Sequence, residues 1–116
     1  MNTIPFPDQY VKFNFYRILT RQELEKIKIG HIPVDMDDRW IVYFEDPWIY
    51  FHRSWTGIGI YKARVIEEGD IYAIDEFLMN GDSTQYRSKV ADEQLLFESA
   101  LKVFLGIRLR IMGVIV

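Results

Sequence analysis

Residues 39–61 read R-W-I-V-Y-F-E-D-P-W-I-Y-F-H-R-S-W-T-G-I-G-I-Y and hold all three tryptophans of the chain. Trp40, Val42 and Phe44 alternate with Arg39, Ile41, Tyr43 and Glu45, the period of two that places successive side chains on opposite faces of a strand. Both faces are largely apolar, which predicts an interior strand of a sheet covered at least in part on both sides. Asp46-Pro47 supplies a turn, with proline pre-setting φ at the second turn position. The chain then returns as a strand from Trp48 or Ile49 to about Trp55. Ile49, Phe51, Arg53 and Trp55 share one face of it; Tyr50, His52, Ser54 and, if the strand continues, Thr56 share the other. Parity therefore sends His52 and Arg53 in opposite directions, and a site that needs both must use an edge or a bulge.

Downstream, Thr56-Gly57-Ile58-Gly59 reads as a tight connection whose glycines permit positive φ or a close backbone approach. Glycine at strand entry also leaves a slot that a ligand, a neighbouring ring or a partner's backbone can fill. Residues 60–66 and 71–79 read as two further strands, joined by a turn at 67–70 and closed by Asn80-Gly81-Asp82. Consecutive strands joined by short turns describe an antiparallel meander.

Upstream, residues 1–8 with Pro5 and Pro7 form an extended lead-in, and alternation of Val11, Phe13 and Phe15 predicts a strand over 10–16. Thr20-Arg-Gln-Glu23 is a capping box, so a short helix starts at Arg21, carries Leu24 and Ile27 inward and stops near Gly30. Residues 31–38 form a loop. Beyond a polar stretch at 83–87, a longer helix is expected, capped by Ser88, with Asp92 and Glu93 in its first turns, an apolar face from Leu96 to Phe104, and Gly106 at its end. The last residues, 107–116, alternate and then become wholly apolar, which predicts a strand that pairs into the sheet or buries in a homodimer contact. Together these elements define an α+β fold: one domain over residues 1–116, an antiparallel β-meander sheet of four to six strands, with a short N-terminal helix and a longer C-terminal helix packed on it.

Composition bounds the function. A chain of 116 residues with 49% hydrophobic and 27% charged residues can bury a core without a staple. Its net charge of −3 argues against general nucleic-acid binding, which needs a surplus of lysine and arginine on one face. It has no cysteine, which removes disulfides and thiolate chemistry. With no signal-peptide pattern and no apolar run long enough for a membrane span, a soluble, cytoplasmic protein is expected.

Four groups of residues can carry chemistry. Asp35, Asp37 and Asp38 lack the glycine and distal glutamate of a calcium loop, and His31 and His52 have no ligand spacing, so neither a metal nor a cofactor is expected. His52 with Ser54 and Glu45 is the nearest approach to a catalytic set, although no nucleophile elbow is present. Arg39, Arg53, Ser54, Trp55, Thr56 and Gly57 combine guanidinium groups, hydroxyls and a glycine turn that can hold a phosphate or carboxylate, beside an indole whose face can stack on a base, a sugar or another arginine; the alternative is that Arg53 pairs with Glu45 or Asp46 and lies over Trp40 or Trp55 as a structural cation–π contact. Trp48, expected in a turn and exposed, is the aromatic best placed for a partner contact.

The residues Trp40, Tyr43, Phe44, Glu45, Ile49 to Phe51 and His52 to Gly57 also carry a likeness: this segment resembles a group of small, mostly bacterial proteins of unknown function that share a W-x-x-Y-F-E…Y-F-H-R-S-W-T-G pattern. The resemblance implies no activity, and no roles transfer from it. Three readings follow from the residues themselves. The first is a binding module for an anionic or nucleotide-like small ligand, or for a protein partner, on the face built by Arg39, Glu45 and residues 52–57. The second is a hydrolase or transferase on a nucleotide-like substrate with His52 as acid/base and Glu45 as its partner. The third is a structural homodimer.

Overall fold

The structure is a computed structural model, and it describes residues 3–35, 37–89 and 91–106. Among these residues five strands form one antiparallel sheet: β1 (Tyr10–Leu19), β2 (Trp40–Glu45), β3 (Trp48–Arg53), β4 (Gly59–Glu68) and β5 (Ile71–Asn80), in the spatial order β1-β5-β4-β3-β2. Two helices among the described residues, α1 (Arg21–Ile29) and α2 (Glu93–Gly106), give the α+β arrangement. The meander expected from β2 to β5 is present, and β1 joins it by pairing with β5. The strand and dimer contact expected of residues 107–116 lie outside the described residues.

Cross-strand register builds the core in rows. Phe13, Phe77, Ala63, Ile49 and Phe44 form one row across all five strands, and Val11, Met79, Tyr61, Phe51 and Val42 form the next. Both helices pack on this face. Phe97 of α2 is fully buried and touches four rings, stacking on Phe77 with centroids 4.1 Å apart and meeting Phe15, Phe51 and Tyr61 edge-on. Edge-to-face and offset contacts of this kind add to the area term of burial.

The N-terminus of α1 follows its sequence. Thr20 Oγ1 accepts from the Glu23 amide and the Glu23 carboxylate accepts from the Thr20 amide, both at 3.0 Å. Arg17 adds a bidentate contact at 2.8 and 3.1 Å that holds the Glu23 carboxyl below its ordinary pKa. Gly30 closes the helix at φ 76°, its amide donating to the Lys26 carbonyl.

Several expectations require correction. Among the described residues β2 is an edge strand of the sheet, not an interior one. Its two apolar faces are partly or fully covered, and among the described residues its outer edge is bridged by His31, which exchanges both backbone hydrogen bonds with Val42 at 2.8 and 3.0 Å. The Asp46-Pro47 peptide is cis, and because Glu45 pairs with Trp48 the proline occupies the third position of the turn, not the second. Helix α2 begins at Glu93, with Asp92 as its cap: Asp92 Oδ1 accepts from the Leu95 amide at 3.0 Å. Ser88, expected as the cap, instead donates its hydroxyl to the Glu93 carboxylate.

Candidate functional site

β3 divides the expected site residues as parity requires. Arg53, the last residue of β3, lies directly across from Trp40, and its guanidinium sits 4.5 Å from the indole centroid. That is a cation–π contact. Trp40 in turn packs on Phe51 and Tyr61, so the arginine is seated on the rim of the core. The Arg53 carbonyl accepts from the Gly57 amide at 2.8 Å and its amide donates to the Ile58 carbonyl at 2.8 Å, closing the turn over residues 53–58. The strand ends here, so Ser54, Trp55 and Thr56 do not continue its alternation.

This turn meets the loop that precedes β2. The Ser54 amide donates to the Arg39 carbonyl at 2.9 Å, and Ser54 Oγ donates to the Asp38 carbonyl at 2.7 Å. The loop is itself pinned by His31 Nε2, 2.7 Å from Asp38 Oδ2, while the same carboxylate oxygen accepts from the Val34 amide. Between turn and loop lies an open cleft of about 420 Å³ lined by Asp37, Arg39, Arg53, Ser54 and Trp55. Trp55 is 72% exposed. Neither Arg39 nor Arg53 forms an ion pair among the described residues. Four of the six expected binding residues, Arg39, Arg53, Ser54 and Trp55, thus line one cleft, while Thr56 and Gly57 serve the turn behind it.

His52 and Glu45 are elsewhere. His52 points to the other face of the sheet and is 0% exposed. Its Nδ1 lies 2.9 Å from the Gly57 carbonyl, which can only accept, so Nδ1 carries the proton. Its Nε2 then accepts from the Tyr43 hydroxyl at 3.0 Å. Burial pushes the imidazole pKa below its usual value, against a smaller opposing effect from the Gly57 bond. A bulge does occur beside it, where His52 pairs with Gly59 while Phe51 pairs with Tyr61, leaving Ile60 as the extra residue. The bulge turns Gly59 toward the imidazole. A Cβ on Gly59 would lie 3.0 Å from both His52 Cε1 and Phe6 Cδ2, so the glycine slot is filled by the protein's own rings. Residues 3–7 complete the cover: the Ile4 amide donates to the Gly57 carbonyl at 2.8 Å, and Phe6 meets Tyr50 edge-on.

Glu45 shares the sheet face of His52 but pairs with Trp48, whereas His52 pairs with Ile41, so four residues of β2, about 13 Å, separate their positions. Ser54 is bonded to the Asp38 carbonyl, not to His52. Trp48 is half-buried in β3 with the Lys62 ammonium 4.6 Å from its ring centroid. The exposed tryptophan of this segment is Trp55.

A second polar cluster was not apparent from sequence. Glu93, at the start of α2, is only 8% exposed, and its carboxylate accepts from Tyr61 at 2.5 Å, from Tyr86 at 3.0 and 3.1 Å, and from Ser88. Burial, then the Glu93 carboxylate, raise the Tyr61 and Tyr86 pKa values. Tyr86 also feels the charge of Arg53, and with Arg53, Gln85, Arg87, Lys89 and Leu96 it lines a second open cleft of about 390 Å³. In the sequence, Glu93 fits the acidic first turn of a helix equally well, and nothing in its spacing connects it to Tyr61.

Among the described residues, no three His, Asp or Glu side chains cluster to hold a metal, and no helix is long and apolar enough to cross a membrane. Every buried side-chain nitrogen and oxygen among them has a hydrogen-bond partner. Comparisons with protein-family models, with curated proteins and with solved structures found no match.

Proposed function

We propose that the protein is a binding module for a small anionic ligand carrying a planar ring, nucleotide-like in its chemistry, held in the cleft between residues 37–39 and the turn at 53–55. One observation carries this reading: Arg39 and Arg53, neither ion-paired among the described residues, line the same cleft as the exposed indole of Trp55. Guanidinium groups bind phosphate or carboxylate with charge-assisted hydrogen bonds, and an exposed indole face stacks on a base. Asp37 on the same wall disfavours a bare anion and suits a ligand that also offers hydroxyl donors, as a ribose does. The volume falls in the range of small-molecule sites, about 300–1,000 Å³. The acid/base alternative has less support, because His52 is enclosed and bonded at both nitrogens while Glu45 lies at the far end of the hairpin.

The test is calorimetric titration with adenosine monophosphate, adenosine and inorganic phosphate. The monophosphate binds more tightly than either fragment, and Arg39→Gln weakens it about tenfold, the equivalent of about 1.4 kcal/mol, without changing the melting temperature. Absence of binding, or binding indifferent to Arg39→Gln, overturns the assignment.

A further inference from the structure

We infer that the site extends past Arg53 into the second cleft, so that the ligand is a dinucleotide with a terminal phosphate: one base against Trp55, a phosphate at Arg53, and its far end between Arg87 and Lys89. The inference rests on the reading above and deepens it. Arg53 is the shared wall of the two clefts, with Arg39 and Trp55 on one side and Arg87 and Lys89 on the other. Arg39 lines the first cleft with Arg53, whereas Arg87 and Lys89 line the second with it, and none of the four forms an ion pair among the described residues. By contrast, Lys12, Arg17, Lys28 and Arg64 each have a carboxylate within reach. Four cations without a carboxylate partner thus line the two clefts that Arg53 shares.

The second cleft is held in shape before any ligand arrives. Asp82 starts its wall, the Asp82 carbonyl accepting from the Gln85 and Tyr86 amides at 2.9 Å and its carboxylate from Thr84. Gln85 is fixed by Asn80 Nδ2 at 2.9 Å, Tyr86 by the Glu93 carboxylate, and Arg87 by a 3.2 Å bond from Nε to the Ser83 carbonyl. That last bond leaves both terminal guanidinium nitrogens of Arg87 for a ligand. Side chains ordered in advance reduce the entropy lost on binding. Glu93 therefore acts as a positioning residue: it holds Tyr86 at the cleft while its own charge is satisfied by three hydroxyl groups.

The shared Arg53 wall favours a dinucleotide over a mononucleotide. A ligand confined to the first cleft leaves Arg87 and Lys89 unused, and the two clefts, about 420 and about 390 Å³, each match a single nucleotide in scale. Single strands are gripped by this combination, cations tracking the phosphates while bases stack on aromatic faces.

The experiment compares adenosine monophosphate with the 5′-phosphorylated diadenylate pApA, on the wild type and on an Arg87→Gln, Lys89→Gln double variant. The wild type binds pApA at least about tenfold more tightly than the monophosphate, and the double variant removes that advantage while leaving monophosphate affinity unchanged. If the monophosphate binds but pApA is no tighter, or if the double variant leaves pApA unaffected, the extension is overturned and the first cleft stands alone. If neither ligand binds the wild type, both readings fall. A hexaglutamate peptide serves as the third arm: binding as tight as pApA would show that charge alone is recognised and would overturn the dinucleotide.

Discussion

An imidazole that donates from Nδ1 to the Gly57 carbonyl and accepts at Nε2 from Tyr43 keeps both bonds only while it is neutral. Burial lowers its pKa in the folded protein, and unfolding returns it toward 6.5. The unfolded chain therefore takes up the proton first as pH falls. Stability from this group is complete above the unfolded pKa and is lost below it, down to the folded pKa, with a limiting slope of about 1.4 kcal/mol per pH unit. His52→Asn is expected to cost about 1–3 kcal/mol near pH 7.5, from lost volume and a weakened bond to Tyr43, with urea titration as the measure. The gap between wild type and variant then narrows toward about pH 5.5; a gap constant with pH contradicts the neutral, buried imidazole. At Gly59, an added Cβ meets the buried His52 ring at 3.0 Å. Gly59→Ala is accordingly destabilising by about 1–2 kcal/mol, through overpacking against a ring that cannot retreat.

At the scale of elements, the packing of α2 is concentrated in Phe97. Its ring touches Phe15, Phe51, Tyr61 and Phe77, so Phe97→Ala removes ring contacts of the helix with four strands at once. The expected cost is about 3–5 kcal/mol, read as a fall in the urea midpoint without a change in slope. Gly30 does a different job: its φ of 76° and the Val42 carbonyl, 2.5 Å from where a Cβ would stand, let the chain leave α1 and bridge the β2 edge. Gly30→Ala forces that bridge open, at about 2–4 kcal/mol from backbone strain and clash together. The start of α1 was legible because a capping box is local, four residues that satisfy one another. The edge position of β2 was not, because alternation reports which faces are covered and says nothing about which neighbour a strand lacks. The Ser88 cap was not legible for a related reason: Ser88 and Asp92 both offer a capping oxygen, and the sequence does not show that Ser88 is taken up by the Glu93 carboxylate while Asp92 accepts from the Leu95 amide.

Across the whole molecule, the sheet separates what the sequence runs together. His52 and Arg53 are neighbours in the chain, yet one is sealed under residues 3–7 and the other stands over Trp40 at the junction of two clefts. Parity made that separation readable. What it could not show was that residues 37–39 and 85–89, distant in the chain, would bring their cations to the same arginine, because that depends on the pairing of Trp40 with Arg53 and on the anchoring of Tyr86 by Glu93. The cleft is tested at the level of single residues by an amide and indole chemical-shift titration with adenosine monophosphate. If the cleft between residues 37–39 and 53–55 holds the ligand, the shifts gather at the Trp55 indole and at those residues, with the Trp48 indole and the His52 ring unmoved. Shifts centred on Glu45, Trp48 and Tyr50, or none at saturating ligand, would contradict that placement.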